Sequence, residues 1–470
     1  MDGGRLDLDA FPAIHLIGVG GVGVSAVARL LLARGIRVSG SDVRESALTK
    51  ALAAAGARIA IGHRPENLAG ADLVVRSTAI PDTNPELGAA AAAGIPVVHR
   101  SVVLDALMVR RHAIGVTGTN GKGSVSALIA WLLDAAGLSP SFAIGAVLLN
   151  WGTNAREGTG RHLVCELDES DGSFANTHPD RLVVNNVEAD HLNYYKDLEG
   201  VLDTFARALS SPRAPAHLHA NGDDPNVAEV LRRAGRGAVT FGVAHGCSYR
   251  LAAVEAAGTR SMFRLEGPRG DLGWFELPLP GEYNVMNAAA ALSVVLEEGV
   301  PAEQVRTALP AYLGLENRFT LRRAGGCLVV KDYISHPTGI RSVIAGARAF
   351  APGRIVAVFK PYRFTMIHYL QNEYRDAFTG ADVTLLTEMY TAGEVPIPGV
   401  DTEWLAAKIR SAGSEVAYVH EMDAIPAALR ERLRPGDTVV FFGGDDLFGV
   451  ADRFAADLDA GGGTGSGRPS

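Results

Sequence analysis

The sequence predicts an α/β protein with mostly parallel sheets, divided into several domains. Apolar strand-like runs alternate with Ala- and Leu-rich helical patterns along almost the whole chain, which is typical of parallel strands joined by helical crossovers. The 470 residues are enough for two to four domains of about 100–200 residues each. Strong strand patterns begin three segments, "AIHLIGVGG", "GVTGTNGKG" and "CLVVKDYIS", so we place domain boundaries near Val109–His112 and Gly314–Phe319.

Composition excludes several classes of protein. A net charge of −8 and a pI near 5.9 argue against a nucleic-acid-binding protein, which needs a basic face. Cys165, Cys247 and Cys327 are far apart in sequence, and we expect them to be reduced thiols in a cytoplasmic protein. The N-terminus lacks an apolar signal core, and no run reaches the ~18 apolar residues of a membrane span. We therefore expect neither export nor membrane insertion.

A glycine-rich turn follows the first strand pattern. Gly18, Gly20 and Gly23 fit G-x-G-x-x-G between the apolar run Ile14–Ile17 and a helical pattern, and Asp42 ends the next strand-like run. This pattern places a diphosphate at a helix N-terminus and an acid near a ribose. It does not specify the nucleoside. NAD, another diphosphate ligand and a purely structural turn all remain open at this point.

A second glycine-rich loop, "TGTNGKGS", precedes another helical pattern. Its backbone amides are placed to surround phosphates, and Lys122 is placed to reach the β and γ oxygens. The loop is shorter than the full G-x-x-x-x-G-K-[ST] pattern, and the hydroxyl expected directly after the lysine lies one residue later, at Ser124. We predict that this loop binds ATP.

Two phosphate sites in one chain restrict the chemistry. A reductase has no need of a triphosphate loop, whereas a ligase or kinase that acts on a nucleotide-linked substrate needs both sites. An NAD-dependent oxidoreductase remains an alternative supported by the first loop alone. A non-catalytic binding protein is a second alternative.

The order of the motifs resembles that of the Mur ligase family, over nearly the whole chain. The segments that carry this resemblance are, in order, "IHLIGVGGVGVSAVA", "VSGSD", "STAIPDTNPEL", "GIPVVHR", "GVTGTNGKGS", "CELDESDGSF", "NNVEADHLNYY", "LPGEYNVMNAAAA", "ENRF", "DYISHPTGI", "VFKPYRFT" and "YTAGEVPIPGVD". Each motif alone is weak, but their number and order are specific.

The resemblance implies three α/β domains. Residues 1–110 form a Rossmann-like domain for a UDP-linked substrate, residues 111–316 a P-loop-type central ATPase domain with a mostly parallel sheet, and residues 317–460 a Rossmann-like C-terminal domain for an amino acid. Within the central domain, alternating patches between Tyr249 and Leu279 predict antiparallel strands. We interpret the many Ala-rich stretches as helix filler, and the Gly/Ser-rich tail 461–470 as disordered.

The implied activity is ATP-dependent amide-bond formation, with Mg²⁺ and with release of ADP. ATP would phosphorylate the carboxylate of a UDP-N-acetylmuramate-like substrate to an acyl phosphate, which the amine of an amino acid then attacks. The protein mainly positions the partners and neutralises charge. A paralogue in peptidyl-nucleoside biosynthesis or in cell-wall recycling, with another donor or acceptor, is the alternative within the family.

The resemblance also assigns residues to roles. In catalysis it implies Lys122, Glu166, His191 and Arg318, and as metal ligands Ser124, Glu166 and His191. The ATP-binding set is Gly118, Thr119, Asn120, Gly121, Lys122, Gly123, Ser124, Asn284, Asn287, Arg318 and Asp332. For the UDP-linked substrate the set is Gly20, Gly21, Val22, Gly23, Asp42, Ser77 and Thr78. For the amino acid or product it is Ser335, His336, Tyr362 and Arg363. For the two Asn residues, a capping role at a helix start is the alternative.

The sequence departs from the family pattern mainly near the acceptor. Ser335 and Tyr362 replace histidines, Met366 replaces an arginine, and Asp445 and Asp446 are additional acids. Loss of an arginine removes a two-pronged carboxylate clamp, and the acids favour a cationic group. These changes predict an acceptor other than L-alanine. The stretch 166–195 contains no lysine, so we expect no carbamylated lysine at the metal.

Overall fold

The computed structural model describes residues 5–462 of the chain. Residues 463–470, most of the tail that we expected to be disordered, lie outside the described residues, and the backbone of residues 461 and 462 ends the last helix. The described residues form three sheets, each flanked by helices. The predicted α/β class with mostly parallel sheets is confirmed.

The first sheet is parallel throughout. Its strands are β1 (Ala13–Ile17), β2 (Arg37–Asp42), β3 (Arg58–Ile61), β4 (Leu73–Arg76) and β5 (Val97–His99), in the order β3-β2-β1-β4-β5. Its helices are α1 (Val22–Ala33), α2 (Ala47–Ala54), α3 (Pro85–Ala93) and α4 (Arg100–Met108). The strand order reverses between β1 and β4, and sheets of this kind bind ligands beyond the carboxyl ends of the strands at such a point. The first glycine loop and Ser77 both lie there.

The central sheet is the largest. Its strands are β6 (His112–Thr117), β7 (Ser141–Leu148), β8 (Thr153–Arg156), β9 (His162–Glu166), β10 (Arg181–Val184), β11 (His217–Asn221), β12 (Val239–Gly242), β13 (Tyr249–Ala257), β14 (Arg260–Gly267) and β15 (Gly270–Leu277). Its helices are α5 (Lys122–Ala135), α6 (Leu192–Tyr195), α7 (Leu198–Ser210), α8 (Pro225–Ala234), α9 (Glu282–Glu297) and α10 (Ala302–Ala308). The order is β15-β14-β13-β12-β11-β10-β6-β9-β7-β8. The antiparallel strands predicted between Tyr249 and Leu279 are present as β13–β15, and they continue this sheet.

The third sheet is parallel except for one edge strand. Its strands are β16 (Thr320–Ala324), β17 (Cys327–Asp332), β18 (Ile355–Phe359), β19 (Val383–Leu386), β20 (Val416–Tyr418) and β21 (Thr438–Phe442), in the order β16-β17-β21-β18-β19-β20. Its helices are α11 (Pro337–Arg348), α12 (Phe364–Tyr369), α13 (Gln371–Ala377), α14 (Thr402–Ser411), α15 (Ile425–Arg432) and α16 (Asp445–Gly462). Only β16 runs antiparallel to its neighbour.

The connections between sheets contain the boundaries that we propose. The boundary at 110/111 falls between α4 and β6, and the boundary at 316/317 falls before β16. Both stay proposals about domain limits. Among residues 5–462, no helix is long and apolar enough to cross a bilayer.

The Ala-rich stretches differ from one another in burial, which corrects the interpretation of all of them as filler. Residues Ala288–Ala291 of α9 have 0% exposure and belong to the core of the central sheet together with α5. Small side chains let two helices approach closely, so here alanine is required by the packing. In α3, by contrast, Ala91, Ala92 and Ala93 are exposed.

Candidate active site

The second glycine loop connects β6 to α5 and passes tightly over its neighbours. Gly118 and Gly121 have φ angles of +129° and +81°, a region that favours glycine. A Cβ on Gly118 would lie 2.7 Å from the carbonyl oxygen of Asn186, and one on Gly121 would lie 2.6 Å from Nδ2 of Asn185. No side chain caps the start of α5. The loop therefore leaves amide groups available for phosphate at a helix N-terminus.

Lys122 is folded back over this loop. Its Nζ donates to the carbonyl oxygens of Gly118 and Thr119 at 2.8 and 3.1 Å, and to Oε1 of Glu169 at 3.0 Å. Burial alone would lower the pKa of Lys122, but the carboxylates of Glu169, Asp168 and Glu166 raise it. A charged ammonium therefore lies beside the loop, where it can move onto a terminal phosphate.

The three residues proposed as metal ligands lie on separate elements around the loop. Ser124 is in the first turn of α5, Glu166 ends β9, and His191 follows β10. Oε2 of Glu166 accepts from the Gly145 amide at 2.7 Å, and a Cβ on Gly123 would lie 3.1 Å from that oxygen. The carboxylate therefore lies directly over the loop.

The donor set fits Mg²⁺. A hydroxyl and a carboxylate offer the hard oxygen ligands that Mg²⁺ prefers, with phosphate oxygens and waters completing the octahedron. Burial lowers the pKa of His191, against the opposing effect of Asp190, so its imidazole is neutral and has a lone pair. A backbone φ of +52° holds His191 in an unusual conformation for a residue other than glycine.

Acidic residues beside Glu166 extend the site beyond the residues that the sequence predicted. The Glu169 side chain is 4% exposed, and its Oε2 lies 2.8 Å from Nζ of Lys122. Burial raises the pKa of Glu169. Asp168 accepts from Arg100 at 2.6 Å. The signal in sequence was the run "ELDESD", whose further acids we left unassigned because spacing does not tell which of them point inward.

The first glycine loop is fixed by Asp42. The Gly20 amide donates to Oδ2 of Asp42 at 2.9 Å. A Cβ on Gly23 would lie 3.0 Å from Nη1 of Arg100, so this guanidinium lies at the start of α1. Gly21 precedes α1 without a side-chain cap. A diphosphate at this helix N-terminus would therefore also meet Arg100, which the sequence did not single out.

Two contacts connect residues near the first glycine loop to the acidic run 166–171. Arg100 donates to Asp168, as described, and Thr78 Oγ1 donates to Oδ2 of Asp171 at 2.7 Å. His99 Nε2 lies 3.4 Å from the same oxygen of Asp171. Thr78 was predicted to contact the UDP-linked substrate, and Ser77 precedes it after β4. Residues that flank the first predicted phosphate cradle therefore contact the acidic run 166–171, and Glu166 of this run lies over the second cradle.

The two asparagines of α9 have different surroundings. Asn287 lies against the ATP loop, where its Oδ1 accepts from Asn185 Nδ2 at 3.0 Å. Asn284 donates to the Pro280 carbonyl at 2.7 Å, directly before its own helix. This is not a capping bond, in which a side-chain oxygen accepts from a backbone amide, and no side chain caps the start of α9. Contact with adenine stays a prediction for both residues.

Arg318 lies just before β16 and Asp332 ends β17, and their side chains lie close together. Asp332 accepts from the amides of Phe319 and Ile334 at 2.9 and 3.0 Å, and Arg318 Nη1 lies 3.9 Å from it. Burial raises the pKa of Asp332 to about 6. The Arg318 side chain is 38% exposed and has its guanidinium over the ring of Tyr333, so it is free to turn toward a phosphate.

A cleft lies between residues 189–193, which include the proposed metal ligand His191, and the segment that contains α12. It is lined by Ala189, Asp190, His191, Leu192, Asn193, Arg363, Thr365, Met366, Tyr369 and Leu370. Arg363 lies over the ring of Tyr362, and its buried Nε has no hydrogen-bond partner. Such a donor requires an anion or water. Ser335 and His336 do not line the cleft themselves: the Ser335 carbonyl accepts from Tyr374, and His336 contacts the carbonyl of Ala189, which does line it.

Three family models match the chain along its length. They describe the catalytic domain of the Mur ligase family at residues 13–112, the Mur ligase middle domain at residues 116–295, and the glutamate ligase domain of Mur ligases at residues 317–444. Together the matches cover most of the 470 residues.

This chain belongs to the Mur ligase family. As a Mur ligase it is an ATP-dependent, ADP-forming enzyme that uses Mg²⁺. Membership in this family excludes the alternative that the chain is an NAD-dependent oxidoreductase, which only the first loop supported.

Similar proteins include UDP-N-acetylmuramate–L-alanine ligases. The chain is 38% identical to that of Geobacter sp. (strain M21), over 95% of this chain and 98% of the relative. It is 39% identical to that of Xylella fastidiosa (strain M23), over 97% of each. Among solved structures, the UDP-N-acetylmuramate–alanine ligase of Thermotoga maritima superposes with a TM-score of 0.81 at 26% identity, covering 96% of this chain and 99% of that one.

The two additional acids on the acceptor side of this Mur ligase differ in their surroundings. Asp446 forms an ion pair with Lys360, and Lys360 also lies over the ring of Tyr390. Only Asp445 remains exposed without such a partner, at the start of α16, where a helix N-terminus favours an acid. The expected preference for a cationic acceptor therefore loses one of its two acids. Met366 remains at the cleft.

Proposed function

We propose that this Mur ligase joins an amino acid to the carboxylate of UDP-N-acetylmuramate. The observation that carries the proposal is the convergence of two phosphate cradles on one acidic segment, through the pairs Arg100–Asp168 and Thr78–Asp171. A UDP-linked carboxylate held by the first cradle would reach the γ-phosphate of an ATP held by the second. The relatives described above are UDP-N-acetylmuramate–L-alanine ligases, which supports N-acetylmuramate as the sugar and L-alanine as the acceptor.

The first half-reaction uses the central domain. A carboxylate oxygen of the donor attacks the γ-phosphorus, and the bond to the bridging oxygen breaks so that ADP leaves with its electron pair. Lys122 and the amides at the start of α5 neutralise the phosphate charge. Ser124, Glu166 and His191 would hold Mg²⁺, which withdraws charge from the phosphate oxygens when bound. Arg318 turns toward the same phosphate.

The second half-reaction uses the cleft beside α12. The neutral amine of the acceptor attacks the acyl carbon, the bond from that carbon to the phosphate oxygen breaks so that inorganic phosphate leaves with its electron pair, and the nitrogen gives up a proton to water. Arg363, whose Nε is buried without a partner, is suited to the acceptor carboxylate. Tyr362 flanks this guanidinium at 5.1 Å. We therefore keep both residues in the acceptor site, and place Ser335 and His336 around it as support.

A different acceptor is the second candidate, and one observation favours it. Met366, which stands where the family pattern has an arginine, lines the cleft together with Tyr369 and Leu370. An apolar wall at this position suits a methyl or larger apolar group better than a carboxylate. The acceptor would then bind its carboxylate through Arg363 alone.

A substrate panel tests both candidates. Purified protein is incubated with ATP, Mg²⁺ and UDP-N-acetylmuramate, and phosphate release is measured with each amino acid in turn, with product mass as a second readout. We expect amino-acid-dependent release with L-alanine as the best acceptor. A larger apolar amino acid that outperforms alanine would establish the second candidate. No release with any acceptor would overturn the assignment of the donor.

The three cysteines carry no disulfide, and the reaction consumes ATP, so we propose that the protein acts in the cytoplasm.

A further inference from the structure

Glu188 connects the ATP loop to the third domain. It lies between β10 and the proposed metal ligand His191, and its own amide donates to Oγ1 of Thr119 at 2.8 Å. The neighbouring Asn186 holds the same loop, because its Oδ1 accepts from the Asn120 amide at 2.7 Å. The backbone on either side of Glu188 is thus fixed to the phosphate-binding loop.

The carboxylate of Glu188 faces two domains at once. Its Oε1 accepts from Asn120 Nδ2 at 2.9 Å, inside the ATP loop. Its Oε2 accepts from Oγ1 of Thr338 at 2.6 Å, across the domain boundary. His336 Nδ1 lies 3.7 Å from that same oxygen. One carboxylate therefore bonds a nucleotide-binding residue and the first turn of α11.

The start of α11 is suited to this partner. Its first turn contains no acidic residue, and its N-cap, His336, makes no side-chain cap bond. A negative charge near a helix N-terminus is stabilising, and the Glu188 carboxylate supplies it from outside the helix. The side chain is 26% exposed, so water screens the interaction only in part.

We infer that Glu188 is a positioning residue that fixes the third domain relative to the ATP loop. It is not a catalytic residue, since its oxygens are already bonded to Asn120 and Thr338. α11, the phosphate-side residue Arg318 and the acceptor-side residue Arg363 belong to the same domain, so fixing α11 also fixes them. The amine must lie within about 3–3.5 Å of the acyl carbon to react. A displacement of α11 should therefore lower the rate of the second half-reaction.

The inference rests on the proposed function for its kinetic test. Thr338→Val removes the hydroxyl at constant shape, and Glu188→Ala removes the carboxylate. We expect each change to lower kcat/KM for the acceptor by about tenfold, within the range of couplings between contacting residues. The Kd of AMP-PNP should stay within about twofold in Thr338→Val, which keeps the bond between Glu188 and Asn120. Glu188→Gln keeps an oxygen acceptor for Thr338 and should restore most of the activity.

Ser342→Ala is the matched control, because Ser342 is on the same helix and its hydroxyl bonds to the Thr338 carbonyl within α11. If Thr338→Val behaves like this control, the inference is wrong. The double variant Glu188→Ala/Thr338→Val should be no slower than Glu188→Ala. Effects that multiply would show that Glu188 and Thr338 act independently, and would overturn the inference. A loss of AMP-PNP affinity in Thr338→Val as large as its loss of acceptor kcat/KM would overturn it as well, because the bond would then serve nucleotide binding.

A measurement without turnover separates this inference from the proposed function. Small-angle X-ray scattering with AMP-PNP and Mg²⁺ gives the radius of gyration of each variant, whatever the donor. We expect Thr338→Val to be more expanded than both the unchanged protein and Ser342→Ala. Equal radii would overturn the positioning role even if every assay of ligation succeeded. If the unchanged protein ligates nothing but the radii differ as expected, only the proposed donor and acceptor fail.

Discussion

Glycine at position 121 illustrates how a single residue decides whether the nucleotide site can form. Its left-handed φ of +81° costs an L-residue about 1 kcal/mol, and the space above it is also taken, by Asn185 and Asn287. Position 137 has a similar φ of +78°, but nothing lies within 4 Å of a Cβ there. A Cβ at position 121 would therefore cause both backbone strain and a steric clash, whereas one at position 137 would cause backbone strain alone.

Gly121→Ala should raise the KM for ATP by at least about tenfold, because the loop must move away from Asn185 and Asn287 and so loses its phosphate geometry. The KM for the UDP-linked substrate should stay unchanged. Steady-state kinetics with each substrate varied in turn measures both. Gly137→Ala is the control, with backbone strain alone and no change in KM for ATP. Equal effects of the two substitutions would contradict the steric argument.

Helices α9 and α3 show that an alanine can be required by packing in one helix and replaceable by a larger residue in another. Ala290 lies in a run that is fully buried under α5 and the central sheet. Ala92 lies in a similar run of α3 that is exposed to solvent. The two runs read alike in sequence, since both are helix-forming and apolar.

Ala290→Leu should lower the free energy of unfolding by about 1–3 kcal/mol, because a close-packed core has no room for the added atoms. Ala92→Leu should change it by less than about 0.5 kcal/mol. Thermal unfolding followed by circular dichroism compares the two variants with the unchanged protein. A similar small effect at both positions would mean that α5 and α9 are less tightly packed than described.

For the whole molecule, a buried ion network closes the end of the central sheet opposite to the ATP loop. Glu298, directly after α9, accepts from His112 at 2.8 Å and from His162 at 3.0 Å, at the starts of β6 and β9. Arg181, at the start of β10, also donates to it. Burial alone would raise the pKa of Glu298, but these hydrogen bonds lower it well below its usual range. One carboxylate thus fastens α9 to three strands.

Glu298→Gln should destabilise the protein by about 3 kcal/mol at neutral pH, since Arg181 loses its buried counter-charge. A depressed folded pKa gives stability that is present above the unfolded value of about 4.3 and is lost as the pH falls through the folded pKa. The difference between variant and unchanged protein should therefore shrink as the pH drops below about 4. Calorimetric melting temperatures from pH 7 to pH 3 measure this difference.

Glu255→Gln is the control for this prediction, because Glu255 is exposed on β13. Its melting temperature should follow that of the unchanged protein at every pH. Since the Glu298 network lies away from the ATP loop, Glu298→Gln should keep its KM for ATP at temperatures where it is folded. A difference that is independent of pH would contradict the role of the carboxylate charge.

Both glycine loops could be predicted from sequence because their information is local. A turn at a helix N-terminus needs its glycines and its lysine within a few residues, as in Gly118–Ser124, so the pattern is visible in one window. The alternation of strands and helices, and with it the α/β class, is local for the same reason. The order of motifs added the family.

The partners of these loops were decided only by the tertiary structure. Arg100 and Asp168 come from different domains, and Glu188 meets Thr338 across 150 positions of sequence, so no spacing rule connects them. Burial is likewise absent from the residue letters, which is why the alanines of α3 and α9 were interpreted alike. Contacts and burial depend on how three sheets are placed against one another, and that placement is a property of the folded chain as a whole.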